Sequence, residues 1–265
     1  MSTVDIKLPG LAAFKLAVHR GPDLHISPHL LRYGIWEPAV TSYILGAIRT
    51  GQNVVDVGAH IGYFTIIMSL LVGEGGKVFA FEPEPCNFDL LRTNLDLNGI
   101  RNVSAERKAV SDQAGRAGLH LSSCNTGDHR LYGPPLEREV HEVDTVALDG
   151  YFDGTGKPVH FVKIDAQGLE PKILDGMGSL IERNRHWLIL LMEFSPGLLR
   201  SAGCDLGNFL RCVEALDAAL FWLNKGRAGR LITRATARDL RGIADLMLRM
   251  KDEDYSADII LCFDH

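Results

Sequence analysis

Apolar positions along the chain fall into two rhythms. Residues 53–57 and 77–81 form short β-branched or aromatic runs that are mostly apolar rather than alternating, and 103–110 reads as a third strand. Between them, residues 61–72 are apolar for three turns, and a polar-apolar helical pattern runs from Pro83 to Asn98-Gly99. Strands apolar on both faces and separated by helices predict a parallel sheet covered on both sides. The pairing resumes with strands at 159–164 and 188–193 around a helix over 170–183. A helix over 206–220, a strand near 221–223, a helix over 235–250 and a last strand at 258–263 complete the expected order. Residues 115–156 are richer in Gly, Pro and polar groups. They are read as strands at 118–121 and 140–145 around a long loop through Gly133-Pro134-Pro135. Before residue 51 the pattern predicts a helical lead-in, with Val40, Ile44, Leu45 and Ile48 at helical spacing between Pro38 and Gly51. No repeat or linker interrupts the rest, so 1–50 is a lead-in and 51–265 one domain.

Composition narrows the classes. The 265 residues are 46% hydrophobic and 23% charged, which excludes intrinsic disorder. With 28 Lys+Arg against 33 Asp+Glu the net charge is −5, against the excess of cations that a nucleic-acid partner demands. The longest apolar runs, 66–72 and 188–192, fall far short of the roughly 20 residues that cross a bilayer. The first ten residues carry Asp5 and no continuous apolar region, so no secretory signal or membrane partner is expected. Cys86, Cys124, Cys204, Cys212 and Cys262 are odd in number and widely spaced. That argues against disulfides or zinc and for a reducing, cytoplasmic setting.

The densest chemical signal is 54–65, a strand ending in an acid, then a small-residue turn, then a helix. Gly58 lets the backbone approach a ligand, and the helix start offers free N–H groups. A dinucleotide site wants Gly-x-Gly-x-x-Gly, but Asp56 stands where its first glycine belongs. A carboxylate repels a pyrophosphate and suits a cation, which disfavours a nicotinamide-dependent oxidoreductase. Glu82 ends the second strand and can accept ribose hydroxyls; Asp112 ends the third and can accept an adenine amino proton. Three acids at consecutive strand ends point to an adenosine with a cationic amino-acid tail, S-adenosylmethionine. The alternative is that such acids cap the following helices.

These residues carry a resemblance. Val55-Asp56-Val57-Gly58-Ala59-His60-Ile61-Gly62-Tyr63, Ala80-Phe81-Glu82-Pro83-Glu84-Pro85 with Asn87, Ala109-Val110-Ser111-Asp112 and Lys163-Ile164-Asp165-Ala166-Gln167-Gly168-Leu169-Glu170 together resemble the FkbM family of class I S-adenosylmethionine-dependent methyltransferases. The similarity spans about residues 30–200, with His60 where the family usually has Asn and Gln167 where it often has Glu. It implies an α/β, Rossmann-like fold, with a seven-stranded, mostly parallel sheet, an antiparallel final strand, and helices on both faces. It also implies cofactor contacts from Asp56, Gly58, Ala59, His60, Ile61, Tyr63, Thr65, Glu82, Pro83, Asn87, Val110, Ser111, Asp112 and Asp165.

Methyl transfer needs an aligned nucleophile and, for a hydroxyl, a base. Asp165, at the fourth strand's end, is the main candidate, although it could instead cap the helix carrying Glu170. Glu193 ends a buried run and could share the acceptor hydroxyl; together the two could alternatively hold Mg²⁺. His129, in Asn125-Thr126-Gly127-Asp128-His129-Arg130, could serve as base or donor. Trp36-Glu37-Pro38 matches the family's entry to the domain, and Glu37 could reach the site or simply start a helix. Lys225, Arg227, Arg230, Arg234, Arg238 and Arg241 form a basic stretch, the last three on one expected helical face. The expected activity is O-methylation of a hydroxyl on a sugar or small natural product. An N-methyltransferase is less well matched, because Asp165-Ala166-Gln167-Gly168 lacks the aromatic Asn/Asp-Pro-Pro box. A non-catalytic protein that keeps the fold is the remaining alternative.

Overall fold

A computed structural model of the chain describes residues 2–21, 23–133, 138–223, 232–250 and 256–263, with the side chains of 243 and 246–250 excepted. The chain opens with β1 (Ser2–Ile6) and β2 (Phe14–Val18), an antiparallel hairpin where a helical lead-in was expected. Short strands with mixed burial carry no helical stripe, and their partners are remote. Asn94 takes the Ala17 N–H at 2.6 Å and donates to the Ala17 carbonyl at 3.0 Å, and Asn98 does the same for Lys15 at 2.9 and 2.7 Å. Two amides thus mimic a neighbouring strand. Helices α1 (Ile26–Tyr33) and α2 (Pro38–Ala47) follow; α2 starts at Pro38 as expected but ends at Ala47, short of Gly51, with Ile48 already extended.

Next come β3 (Asn53–Val57), α3 (Tyr63–Val72), β4 (Lys77–Phe81), α4 (Pro85–Leu97) and β5 (Val103–Glu106). The third expected strand is broken: Ala109–Val110 forms β6, which leaves the central sheet and pairs with β8 (Glu139–Val146), itself antiparallel to β7 (Gly115–Leu121). The remaining elements are α5 (Leu148–Phe152), β9 (Phe161–Ile164), α6 (Glu170–Asp175), α7 (Gly178–Asn184), β10 (Ile189–Phe194), α8 (Pro196–Ser201), α9 (Leu206–Ala215), β11 (Ala219–Leu223), β12 (Ile232–Arg234), α10 (Ala237–Met250) and β13 (Ala257–Cys262). The helix expected over 170–183 is two, because Asp149 accepts from the N–H groups of Ser179 and Leu180 and starts a new helix at Gly178. That expected over 206–220 stops at Ala215, where Asp217 turns left-handed at φ 50°.

The central sheet runs β12-β11-β13-β10-β9-β3-β4-β5. The strands β5, β4, β3, β9 and β10 are parallel, and β13 lies antiparallel between β10 and β11. This is the expected class I methyltransferase fold with one addition, the three-residue edge strand β12. Alternation along each strand sends side chains to two cores. Val55, Val57, Phe79 and Phe81 join one with α5–α9, whereas Val54, Val78 and Ala80 join the other with α2, α3, α4 and the hairpin. The chain turns away from β3 in opposite directions toward β4 and β9. Ligands of open α/β sheets bind beyond the carboxyl ends of the strands at such a switch point.

Candidate active site

A cavity of about 660 Å³ opens at that place. Its floor is Val57-Gly58 at the end of β3, Phe81-Glu82 at the end of β4, Lys163 and Asp165 at β9 and Glu193 on β10. One wall is residues 122–131, another is His25, Ile26, Leu30, Trp36 and Glu37, and Tyr63 and Phe64 start α3 beside it.

The glycine turn is fixed by the sheet. The N–H groups of Gly58 and Ala59 both donate to the Phe81 carbonyl at 3.0 Å. Gly58 has φ 77°, and a Cβ there would lie 2.0 Å from the Asp165 carbonyl oxygen, so only glycine lets β3 and β9 close up. His60, also left-handed at φ 50°, gives its backbone N–H to Glu82 Oε2 at 2.8 Å. Glu82 Oε1 takes the Glu84 N–H at 2.9 Å. Burial pushes the Glu82 carboxyl up to about 7 and, together with nearby His19, pulls the His60 imidazole down to about 3. The His60 Nε2 is 2.9 Å from Thr126 Oγ1, and Asn87 donates to the Thr126 carbonyl at 3.0 Å. The wall at 122–131 is thereby tied to the turn.

The three expected strand-end acids do not share one rim. Glu82 lines the cavity, as do Gly58, Ala59, His60, Ile61, Tyr63, Pro83, Asn87 and Val110. Asp56 is fully buried beneath α3, and its Oδ2 accepts from Thr65 Oγ1 at 2.6 Å. Neither residue lines the cavity, because Asp56 is still within β3 and alternation puts it on the α3 face. Asp112 is exposed and takes the Ser111 hydroxyl at 2.8 Å; both follow β6, which has left the sheet, and neither lines the cavity.

Asp165, Glu193 and His129 do come together on the cavity surface. Gln167 joins two of them: its Nε2 donates to Asp165 Oδ1 at 3.0 Å and to Glu193 Oε2 at 3.2 Å. Gln167 stands at φ 53°, in a loop held by Glu170, whose Oε1 takes the N–H groups of Ala166 and Gly168 at 3.1 and 3.2 Å. The opposite Asp165 oxygen, Oδ2, receives the Lys163 ammonium at 3.0 Å. Burial alone would lower the Lys163 ammonium, but Asp165, Asp56 and Glu37 outweigh it and raise it. Burial, then the charges of Asp165 and Glu170, pushes the Glu193 carboxyl well above the usual range. A donor amide thus occupies the gap in which Asp165 and Glu193 were weighed as Mg²⁺ ligands. Among the described residues no group of three or more His, Cys, Asp or Glu side chains is arranged to hold a metal.

His129 Nδ1 accepts the Ser122 N–H at 3.0 Å, which leaves the neutral ring's hydrogen on Nε2. Burial lowers its basicity, so of the two roles expected for it the geometry supports donor. Lys163, Gln167 and Ser195 escaped the sequence reading as site residues. Only the short motif around Asp165 signalled the first two. In the basic stretch, Lys225, Arg227 and Arg230 lie outside the described residues. Arg234 belongs to β12 rather than to a helix with Arg238 and Arg241, and none of these three lines the cavity.

The cavity fits S-adenosylmethionine. Glu82 offers carboxylate lone pairs beyond β4, where ribose hydroxyls would lie. The start of α3 faces the cavity with no side-chain cap, suiting the carboxylate of an amino-acid tail. Among the described residues, the buried Ser195 Oγ on the lining has no partner.

Comparison with known proteins agrees with this picture. The model of the methyltransferase FkbM domain matches residues 56–211. Methyltransferase 1 of Beauveria bassiana (strain ARSEF 2860) is 25% identical over 154 residues, covering 51% of this chain and 59% of that protein. Methyltransferase sdnD of Sordaria araneosa is 26% identical over 178 residues, 55% and 66% of the two chains. The chain therefore spans less than two thirds of the length of these relatives. Among solved structures, precorrin-6y C5,15-methyltransferase from Geobacter metallireducens GS-15 aligns over 93% of this chain and 94% of its own, with a TM-score of 0.44 and 14% identity. No helix among the described residues is long and apolar enough to cross a membrane. The protein belongs to the FkbM family of S-adenosylmethionine-dependent methyltransferases.

Proposed function

We propose that the chain methylates a hydroxyl of a sugar or other small natural product. The observation that carries this reading is the Asp165–Gln167–Glu193 bridge at the carboxyl ends of β9 and β10. Bound S-adenosylmethionine supplies an electrophilic methyl group on a sulfonium. In our reading Glu82 holds the ribose, Gly58 to Tyr63 the amino-acid tail, and Pro83, Asn87 and Val110 flank the nucleoside. Asp165, fixed by Lys163 and Gln167, orients the acceptor hydroxyl. The acceptor oxygen bonds to the methyl carbon as the carbon–sulfur bond breaks, its electron pair going to sulfur. The hydroxyl proton passes to Asp165, the carboxylate that Lys163 and Gln167 hold on the cavity lining. A net charge of −5 favours an uncharged small acceptor over a polyanion.

The test is incubation of the protein with methyl-labelled S-adenosylmethionine and a panel of hydroxylated metabolites and amines, followed by mass spectrometry. The reading requires a hydroxyl compound to gain one CH₂, with Asp165→Asn lowering the rate by at least about a hundredfold. Transfer to amines alone would refute it.

A further inference from the structure

One wall of the cavity comes from outside the matched segment. His25, Ile26, Leu30, Trp36 and Glu37 precede residue 56, yet all line the cavity. Their placement is held at several points. Asp23 accepts the N–H groups of His25, Ile26 and Ser27 at 3.2, 3.2 and 2.7 Å and so starts α1. The Leu24 N–H donates to the Cys124 carbonyl at 2.9 Å, joining this wall to the one at 122–131. At the turn into α2, Thr41 gives its hydroxyl to the Trp36 carbonyl at 2.7 Å and its N–H to the Glu37 carbonyl at 2.9 Å.

Within that turn Glu37 adopts φ 41°, directly before a proline. A non-glycine residue there is strained and persists only where its surroundings insist on it. Here the Thr41 bonds hold that conformation, and Glu37 lies on the cavity lining, close enough to Lys163 for its charge to act on that ammonium. The same lining carries Ile26, Leu30, Phe64 and the half-buried indole of Trp36, an apolar surface. Beyond them lie Glu193 and the buried, unpartnered Ser195 Oγ.

An apolar indole beside carboxylates and a hydroxyl describes a particular ligand surface. Carboxylates accept hydrogen bonds, so the ligand must donate several. An anionic group would meet the Glu37 carboxylate, and a planar aromatic offers too few donors around its edge. A saturated ring with an apolar CH face and several hydroxyls meets both demands. We infer that residues 25–37 build the acceptor subsite and that it takes a ring polyol, a pyranose or cyclitol. Its CH face lies on Trp36, and its hydroxyls reach Glu37, Ser195 and Glu193. This deepens the proposed hydroxyl methylation and rests on it.

The test uses the full chain saturated with S-adenosylhomocysteine, with methyl α-glucopyranoside, myo-inositol and catechol as probes. Saturation-transfer NMR measures binding, and circular dichroism checks that Trp36→Ala, Trp36→Phe and Glu37→Gln remain folded. The polyols should bind more tightly than catechol. Trp36→Ala and Glu37→Gln should each weaken polyol binding about tenfold or more, with Trp36→Phe retaining most of it. The KM for S-adenosylmethionine should not follow these changes. Tighter binding of catechol, or polyol binding indifferent to Trp36→Ala and Glu37→Gln, overturns the assignment. The two readings fail separately. If polyols bind through Trp36 while label reaches only amines, hydroxyl transfer is wrong and the subsite stands. If a hydroxyl is methylated with an acceptor KM indifferent to both substitutions, the subsite is wrong and hydroxyl transfer stands.

Discussion

The Lys163 ammonium lies 3.0 Å from Asp165 Oδ2 on a strand whose neighbours leave the lysine only 4% exposed. Phe64 lies beneath the charge, its ring centroid 5.0 Å away, and the buried Asp56 adds a second carboxylate nearby. Removing one partner of a buried pair strands the other charge. Lys163→Met should therefore cost about 3–5 kcal/mol in urea unfolding. A loss below about 1 kcal/mol, the value of an exposed pair, would show that solvent reaches these carboxylates.

Glu82 gives the cofactor site a pH dependence. Its carboxyl titrates near 7 in the folded chain against an ordinary 4.5, so between those values the folded state holds the extra proton. Stability from this group is complete below about 4.5 and declines as pH rises through 7. Glu170, also raised to about 7, acts in the same sense. Ribose hydroxyls need the ionised form, so S-adenosylmethionine affinity should rise between pH 6 and about 8 with release of a proton. Glu82→Gln should weaken binding and flatten that rise in calorimetry at several pH values. An unchanged slope would move the dependence to another group.

Gly58→Ala tests the closure of β3 on β9. The left-handed backbone alone costs about 1–2 kcal/mol for an alanine. The new Cβ would also fall 2.0 Å from the Asp165 carbonyl, so the strand ends must part. Loss of cofactor binding, together with a melting temperature lower by several degrees, is expected. Wild-type binding by this variant would mean that the turn re-forms without cost.

His129 separates donor from base. Because Nδ1 is committed to the Ser122 N–H, Nε2 presents a hydrogen to the cavity. His129→Gln should keep most of the turnover, since an amide donates from a similar position, whereas His129→Ala should lower it about tenfold. The pH–rate profile of both should keep the wild-type acid limb. Its displacement would make His129 the proton acceptor.

The central strands were legible because a strand covered on both faces is mostly apolar, and β3, β4, β9 and β10 are of that kind. Asp165, Glu193 and Glu82 were legible as acids at or near the ends of such strands. Asp56 and Asp112 were misplaced for different reasons. The first lies one residue before the end of β3, where a shift of one position exchanges the two faces of a sheet. The second follows β6, whose departure depends on β8, some thirty residues later. Gln167 depends on a left-handed backbone, which a side chain with no preference for it does not advertise, whereas Glu37 was legible from its place in Trp36-Glu37-Pro38. The hairpin was hidden because β2 docks on the side chains of Asn94 in α4 and Asn98 just after it, 77 and 83 residues away.

That hairpin governs how the chain can be shortened. Asn94, which grips β2, also donates to the Ile61 carbonyl at 2.8 Å, within the turn that carries Gly58. Cutting back to residues 56–211 would strip β1 and β2 from α4, remove β3 up to Asp56 and leave β10 without β13. Such a fragment would keep Gly58, Glu82 and Asp165 and lose the scaffolding behind them, so expression trials are better begun from the whole chain.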